Sequence, residues 1–292
     1  MLWVPITLLA SALQVARNAT QSGLVVQIGT LGATQVRFVF GLPFALLFLL
    51  IAGLAVEPVP ALTLDAMAWV TMGSLAQIGA TALMLLAMRA RGFAAATALI
   101  KTEPVMLALI GWLVLGDALG PGSVAAIIVA TLGTVLMTLT PGRRLAPVPV
   151  FLALAAGFLF GVSAIGFRGA ILALPEGGFV IRATTMLVTS LVIQTLVLTV
   201  WLVAFDRVAL IGAIRVWRVS LAAGFLGAAG SQAWFLGFAL TAAANVRTLA
   251  LVEILMARMI SGRLFAERTA PREWAGMAMI AGGVGWLLIL TL

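Results

Sequence analysis

Apolar runs long enough to cross a bilayer, about 20 residues each, recur along the chain. They fall near 3–23, 34–54, 66–88, 94–115, 122–140, 149–172, 178–203, 219–241, 245–264 and 273–291. Turn chemistry separates them: Glu57-Pro58, Gly116-Asp117, Pro141-Gly142-Arg143-Arg144, Pro175-Glu176-Gly177-Gly178 and Asp206-Arg207. The pattern predicts an all-α membrane protein of ten transmembrane helices. It also repeats. ALIKTEPVMLALIGWLVLGDALGP (98–121) aligns without a gap on TLALVEILMARMISGRLFAERTAP (248–271). Glu103 then matches Glu253, Asp117 matches Glu267, Pro121 matches Pro271 and, further on, Gly133 matches Gly283. Apolar identities between membrane helices arise by chance, but a mid-helix acid followed at fixed distances by an acid and a proline is a duplication signal. Gly32 and Arg37 are likewise echoed by Gly177 and Arg182.

The two copies, 1–144 and 145–292, hold five predicted helices each and join at 141–149. An odd number of crossings obliges the second copy to enter the membrane from the opposite side. The expected architecture is therefore two inverted repeats, the arrangement of many secondary transporters, with a site at mid-depth between the halves. Small residues at helical spacing, Gly157 with Gly161 and the group Gly224, Gly227 and Gly230, predict close helix packing.

Composition narrows the function classes. The 292 residues are 63% hydrophobic and 9% charged, with mean hydropathy +1.22, against about 25% charged in a soluble domain. The net charge of +8 does not point to nucleic acid, because the basic residues are scattered singly or in pairs between apolar spans. With no Cys and no His, thiol chemistry, the usual metal ligands and the usual proton shuttle are missing. No metal site, cofactor or enzymatic activity is expected, and any coupled proton or other ion must be handled by a carboxylate. A cleaved signal at 2–12 is not expected, since no basic segment precedes that run and the apolar pattern continues past it.

Loop charge predicts the orientation in the cytoplasmic (inner) membrane. Arg17, Arg37, Arg89, Arg91, Arg143, Arg144, Arg207, Arg215, Arg218, Arg263, Arg268 and Arg272 gather on one side. Glu57, Asp65, Asp117 and Glu176 gather on the other, with Arg168, Arg182 and Arg247. The positive-inside bias puts both termini outside.

Candidate chemistry lies within the spans. Thr7, Ser11, Gln14, Arg17, Asn18 and Gln21 share one face of the first helix. Such a stripe must meet water or protein, as a cavity wall or as hydrogen bonds between helices. Thr71, Ser74, Gln77 and Thr81 form a thinner stripe on the third helix. Glu103 and Glu253 lie near mid-depth, where a charge costs at least ~2.5 kcal/mol and marks either function or a structural pair. Pro104 cannot donate to the Ile100 carbonyl, which leaves an acceptor beside Glu103 for a cation or a substrate ammonium. Lys101, two residues from Glu103, points to another side of the helix, so it needs a partner on a different helix or faces the cavity. Arg247 and Arg258 are off the Glu253 face, and Arg258 is close enough to the helix end to snorkel. Arg37 and Arg182 hold equivalent repeat positions near opposite faces, as gates, carboxylate binders or ordinary interfacial arginines. Gln232 and Trp234 are candidates for lining a pocket, or for packing.

With these residues in place, the chain resembles the ten-helix, EamA-type members of the drug/metabolite transporter superfamily. The resemblance is carried by RFVFGLPF (37–44), Glu103-Pro104, the helix closings Leu115-Gly116-Asp117 and Phe265-Ala266-Glu267, and the glycine-bearing helices that follow, with Gly133 and Gly283. It spans essentially the whole chain and implies a secondary carrier with a central cavity, often an exporter of amino acids, metabolites or toxic organic compounds. In such relatives the termini are cytoplasmic and the loop after the second helix is basic, whereas here that loop carries Glu57 and Asp65. The expected activity is transport of a small polar organic solute, an amino acid or similar metabolite, by alternating access. Export of organic cations through Glu103 and Glu253, and a channel-like pore, are the alternatives.

Overall fold

A computed structural model describes residues 1–91, 99–138, 147–255 and 270–291. The side chains of 18–19, 21–23, 26, 88–91 and 138 are excepted. The described residues are 87% helix. In chain order the helices are α1 (Trp3–Val39), α2 (Leu42–Ala55), α3 (Leu64–Arg91), α4 (Glu103–Leu115), α5 (Pro121–Thr138), α6 (Pro147–Leu172), α7 (Phe179–Phe205), α8 (Arg207–Arg215), α9 (Trp217–Leu240), α10 (Ala243–Leu249) and α11 (Pro271–Thr291). Among the described residues six helical segments are long and apolar enough to cross a membrane: Gln27–Ala55, Leu64–Ala87, Pro147–Leu172, Phe179–Phe205, Trp217–Leu240 and Pro271–Thr291. Large apolar side chains face outward, such as Leu54, Leu113 and Ile289, while Thr7, Ser11, Gln35, Ser74 and Gln194 are buried. That inside-out distribution belongs to a multi-pass membrane protein.

Six of the ten predicted spans coincide with these segments, with local differences. α1 runs from the first predicted span into the second and breaks at Gly29, whose φ of 73° and ψ of 175° lie outside the helical region. The second span turns again at Phe40 and Gly41 before α2, with Pro43 in its first turn. The stretch 204–218, read as a connection, contains α8. Asp206 caps it by accepting from the Ala209 N–H at 3.1 Å. Val208, Ile211 and Ile214 stand exposed on α8 while Ala209 and Ala213 are buried, a three-residue rhythm too brief to register as a span. The linker 141–146, Arg258 and the segment holding Glu267 lie outside the described residues.

Gly29 gives a direct test. A backbone with positive φ and extended ψ is accessible almost only to glycine, and nothing surrounds the position that a Cβ would meet. Gly29→Ala is therefore expected to cost about 1–3 kcal/mol through backbone strain alone. It would be read as a lower melting temperature in detergent. Gly120→Ala, equally open but without positive φ, is the control.

Two compact units form. Unit 1 comprises Gly79–Ile165 and Ala242–Leu292, with Met1; unit 2 comprises Leu2–Ile78 and Gly166–Thr241. Each draws on both halves of the sequence, and the divisions fall inside α3 and α6.

In unit 1, α5 packs on α11 through glycine. A Cβ on Gly133 would stand 2.7 Å from the Gly276 carbonyl oxygen and 2.9 Å from the Ile280 nitrogen. A Cβ on Gly283 would stand 2.8 Å from the Ala126 oxygen and 2.7 Å from the Ala130 nitrogen. Adding 150 to 133 and subtracting it from 276 and 280 turns the first contact set into the second. Partner numbers fall along α11 as they rise along α5, so the two helices run antiparallel.

In unit 2, α9 lies on α1 in the same manner. The Phe40 carbonyl carbon would stand 2.5 Å from a Cβ on Gly224, and the Leu13 Cβ 3.4 Å from one on Gly230.

Candidate functional site

Two helices of unit 1 are broken at points that match to within one residue under the 150-residue offset. The predicted span 94–115 is interrupted at Lys101 and Thr102, and α4 starts afresh at Glu103. Pro104 dictates this, since it cannot donate to Ile100. The Thr102 N–H bonds instead to the Leu99 carbonyl at 3.3 Å, and Val105 to Thr102 at 3.2 Å. In the second copy α10 ends at Leu249, Ala250 and Leu251 form a turn, and helix resumes at Val252. Leu251 bonds to Thr248 at 3.0 Å, Glu253 to Ala250 at 3.0 Å and Ile254 to Leu251 at 3.1 Å. These are three-residue closures, the tightened turn that interrupts helices at functional hinges. Each break thus places a glutamate in the first turn of the following segment, which for Glu103 is the positive end of the α4 dipole. No proline causes the second break, and no residue in that stretch announces it.

The acids are paired crosswise. Lys101 Nζ forms an ion pair with Glu253 Oε1, and Arg247 Nε stands 3.3 Å from Glu103 Oε1. That second contact is electrostatic, because the two atoms do not meet hydrogen-bond geometry. Glu103 and Glu253 are 5% and 9% exposed, so both pairs are enclosed. Lys101 therefore finds its partner on another helix. The acids occupy equivalent repeat positions, but the bases do not, since 150 residues from Lys101 stands Leu251 and from Arg247 stands Thr97. The cluster carries two positive and two negative side chains. The Ile100 carbonyl freed by Pro104 is covered by α6: a Cβ on Gly157 would stand 3.0 Å from its oxygen. The acceptor expected to serve a cation is therefore packed against helix backbone.

The remaining candidates lie in unit 2. Arg17 and Arg37 are buried, with their stems against Gly227, and Arg37 Nη2 donates to Ser231 Oγ at 3.3 Å. Gln14 accepts from the Trp234 indole N–H at 3.2 Å, which ties α1 to α9. Gln232 donates to Thr184 Oγ1 at 2.8 Å, and Gln77 accepts from Gln194 at 2.7 Å; both are bonds between helices. Arg182 reaches back to the Leu174 carbonyl at 3.4 Å. Arg168 donates to the Phe238 and Thr241 carbonyls at 2.7 and 2.8 Å, closing the end of α9. The side chains of Asn18 and Gln21 lie outside the described residues.

Two features escaped the sequence reading. Arg247 is indeed off the Glu253 face, but its partner is the other glutamate. The available signal was an acid with a base near it inside each of the two repeat-related spans, Lys101 with Glu103 and Arg247 with Glu253. Gln35 and Gln194, outside every stripe or motif of the sequence, also bond between helices: Gln35 donates to Thr199 Oγ1 at 2.6 Å and Gln194 to Gln77 Oε1 at 2.7 Å.

No protein-family model matches the chain, and no curated protein matches it by sequence. Among solved structures, it is similar to one described only as "Crystal structure of protein", at 15% identity and a TM-score of 0.75. The match covers 99% of this chain and 96% of that one. At that identity the likeness is one of fold.

Proposed function

We propose that the chain is a secondary transporter of the drug/metabolite type. Ten membrane spans, arranged as two inverted five-helix repeats, would move a small polar organic solute, an amino acid or similar metabolite, outward across the cytoplasmic membrane with both termini outside. One observation carries this reading. Two apolar helices break within one residue of repeat-equivalent positions, and each break presents a buried glutamate to a base on the other helix. Interrupted helices in corresponding places of two halves are the hallmark of a carrier's binding and coupling region, because irregular backbone is tolerated at membrane depth only where protein or a cavity receives it. The antiparallel α5–α11 contact, which maps onto itself under the 150-residue offset, supports inversion: parallel repeats would keep the difference between partner numbers constant, not their sum. Lys101 and Arg247 already neutralise both carboxylates, which favours a zwitterionic or carboxylate-bearing solute over an organic cation.

The test is counterflow in proteoliposomes with radiolabelled L-alanine, L-glutamate and tetraethylammonium. A carrier gives saturable uptake stimulated by the same solute inside. Glu103→Gln is expected to reduce that exchange at least ~10-fold, the effect of removing one charged partner at a site. Flux that neither saturates nor responds to internal solute would instead favour a pore.

A further inference from the structure

We infer that α8 lies in the membrane interface and, with the arginines around it, holds the headgroups of anionic phospholipids. The inference needs only a multi-pass membrane protein and stands apart from the transporter reading.

Chain length fixes the depth of α8. It joins α7, which ends at Phe205, to α9, which begins at Trp217, and both are candidate membrane spans. Its nine residues reach about 13 Å, less than half of the ~30 Å hydrocarbon core. The helix therefore stays at the level where its neighbours leave the bilayer. Trp201, Phe205 and Trp217 mark the same level: all three are exposed, as aromatic side chains are where membrane meets water.

Packing fixes which face looks out. Ala209 and Ala213 are buried. A Cβ on Gly212 would stand 2.9 Å from Ile28 Cγ2, and one on Gly32 would stand 3.3 Å from the Ala209 Cβ, so α8 lies on α1 across the break at Gly29. The opposite face carries Arg207, Val208, Ile211, Ile214 and Arg215, which fall at three- and four-residue steps about Ile211. Val208, Ile211 and Ile214 are 82%, 50% and 61% exposed. An apolar centre with an arginine at either end suits the boundary of acyl chains and headgroups, the branched side chains entering the first and the arginine stems extending to the second.

Charge selects the lipid. Between Trp201 and Ser220 stand Arg207, Arg215 and Arg218 against a single acid, Asp206. That acid caps α8 through the Ala209 N–H and lies about 13 Å along the axis from Arg215. Arg207 Nε is turned back to the Val203 carbonyl at 2.8 Å, and the Arg218 guanidinium lies 5.6 Å from the centre of the Trp217 ring. Arg215 and Arg218 are exposed, and neither pairs with a described acid. A groove of about 590 Å³ follows α8, lined by Gln27, Asp206, Val208, Ile211, Gly212 and Arg215, a size that holds a small ligand. Gly32 meets Ala209 and Ile28 meets Gly212, so Gln27 falls toward the Arg215 end. There a guanidinium fork and an amide are available to a phosphodiester.

The probes are phosphatidylglycerol, phosphatidylcholine and inorganic phosphate, added to the purified full-length protein in neutral detergent, with melting temperature as the readout. Phosphatidylglycerol should raise it, phosphatidylcholine much less and phosphate not at all. Arg215→Gln and Arg218→Gln are each expected to weaken the phosphatidylglycerol response about 5-fold, the worth of one arginine at an anionic surface. Arg215→Lys, which keeps the charge but loses the fork, should fall between. Both arginines are exposed, where substitution scarcely alters folding. Depth is read separately. The chain has no cysteine, so Ile211→Cys carries a unique fluorophore, which in phosphatidylglycerol vesicles should be quenched by lipid bearing a quencher on its upper acyl chain. Equal responses to the two lipids, or equal phosphatidylglycerol responses in wild type and both glutamine variants, would overturn the proposal. So would a phosphate response matching that of the lipid, which marks a soluble-anion site, or quenching only from water. A dimer that Ile211→Ser dissolves would also overturn it, by making this face an interface between copies.

Discussion

Gly133→Leu and Gly283→Leu are expected to abolish recovery of folded protein, whereas Gly282→Leu and Gly285→Leu leave it intact. At Gly133 and Gly283 the atoms facing a new side chain are backbone atoms of the opposing helix, 2.7–2.9 Å from the first added carbon, so no rotamer change relieves the clash. Gly282 and Gly285 stand on the same helix α11 with nothing within 4 Å. Even alanine should tell the positions apart. Overpacking costs about 1–3 kcal/mol, and Gly133→Ala and Gly276→Ala should each lower the melting temperature in detergent. Their double variant should depart from additivity, since each glycine's Cβ would meet the other's carbonyl at 2.7 Å. The pair Gly133 and Gly283 also tests the duplication. If the offset of 150 relates two copies of one contact, alanine at either should cost the same within about 0.5 kcal/mol. A large inequality would mean that the sequence match does not extend to packing.

Much of the fold was legible because membrane burial writes itself into composition: a helix in lipid must be apolar for its whole length, and its ends must carry turn residues. The two buried acids stood out for a different reason. Glu103 and Glu253 are expensive, so their recurrence is informative where a recurring leucine is not. The irregularities lacked such a signal. Pro104 announces the first break, but Ala250 and Leu251 are good helix formers, and only their surroundings, with Lys101 engaging Glu253, hold that turn in place. Gly29 reads as an ordinary membrane glycine until its φ of 73° is known. The compact units were also hidden, because adjacency in a helical bundle need not follow order along the chain.

The site was legible as a list of residues and not as a set of partners. The polar stripe of α1 allowed a cavity wall or bonds between helices; Gln14 makes such a bond, holding Trp234, while Arg17 joins Arg37 at Gly227. Helical spacing gives the face a side chain occupies, but not what stands opposite. Gln77 and Gln232 illustrate the cost of that limit, since each is bonded to α7, through Gln194 and Thr184.

Cutting the two ion pairs one partner at a time should separate structure from task. Arg247→Leu leaves the Glu103 carboxylate enclosed without the guanidinium at 3.3 Å. Lys101→Met does the same to Glu253. Removing one member of a buried pair costs about 3–5 kcal/mol, because the surviving charge has lost both water and counter-charge. Either single variant should therefore melt far below wild type. Replacing both members with apolar residues of similar volume removes the stranded charge, so Arg247→Leu with Glu103→Leu, and Lys101→Met with Glu253→Met, should recover most of that loss. Flux decides what the pairs are for. If each double variant regains stability and counterflow together, the pairs only fasten α4 to the second broken helix. If stability returns while counterflow stays lost, the charges act in transport itself, and the conservative Glu103→Gln and Glu253→Gln then assign the step. Loss of exchange with solute binding retained marks an acid that couples or gates. Loss of binding marks one that touches the solute. A protein built only for packing would place leucines at these positions. Charges kept at such cost, at helix breaks within one residue of repeat equivalence, are expected to fail the stability-only outcome.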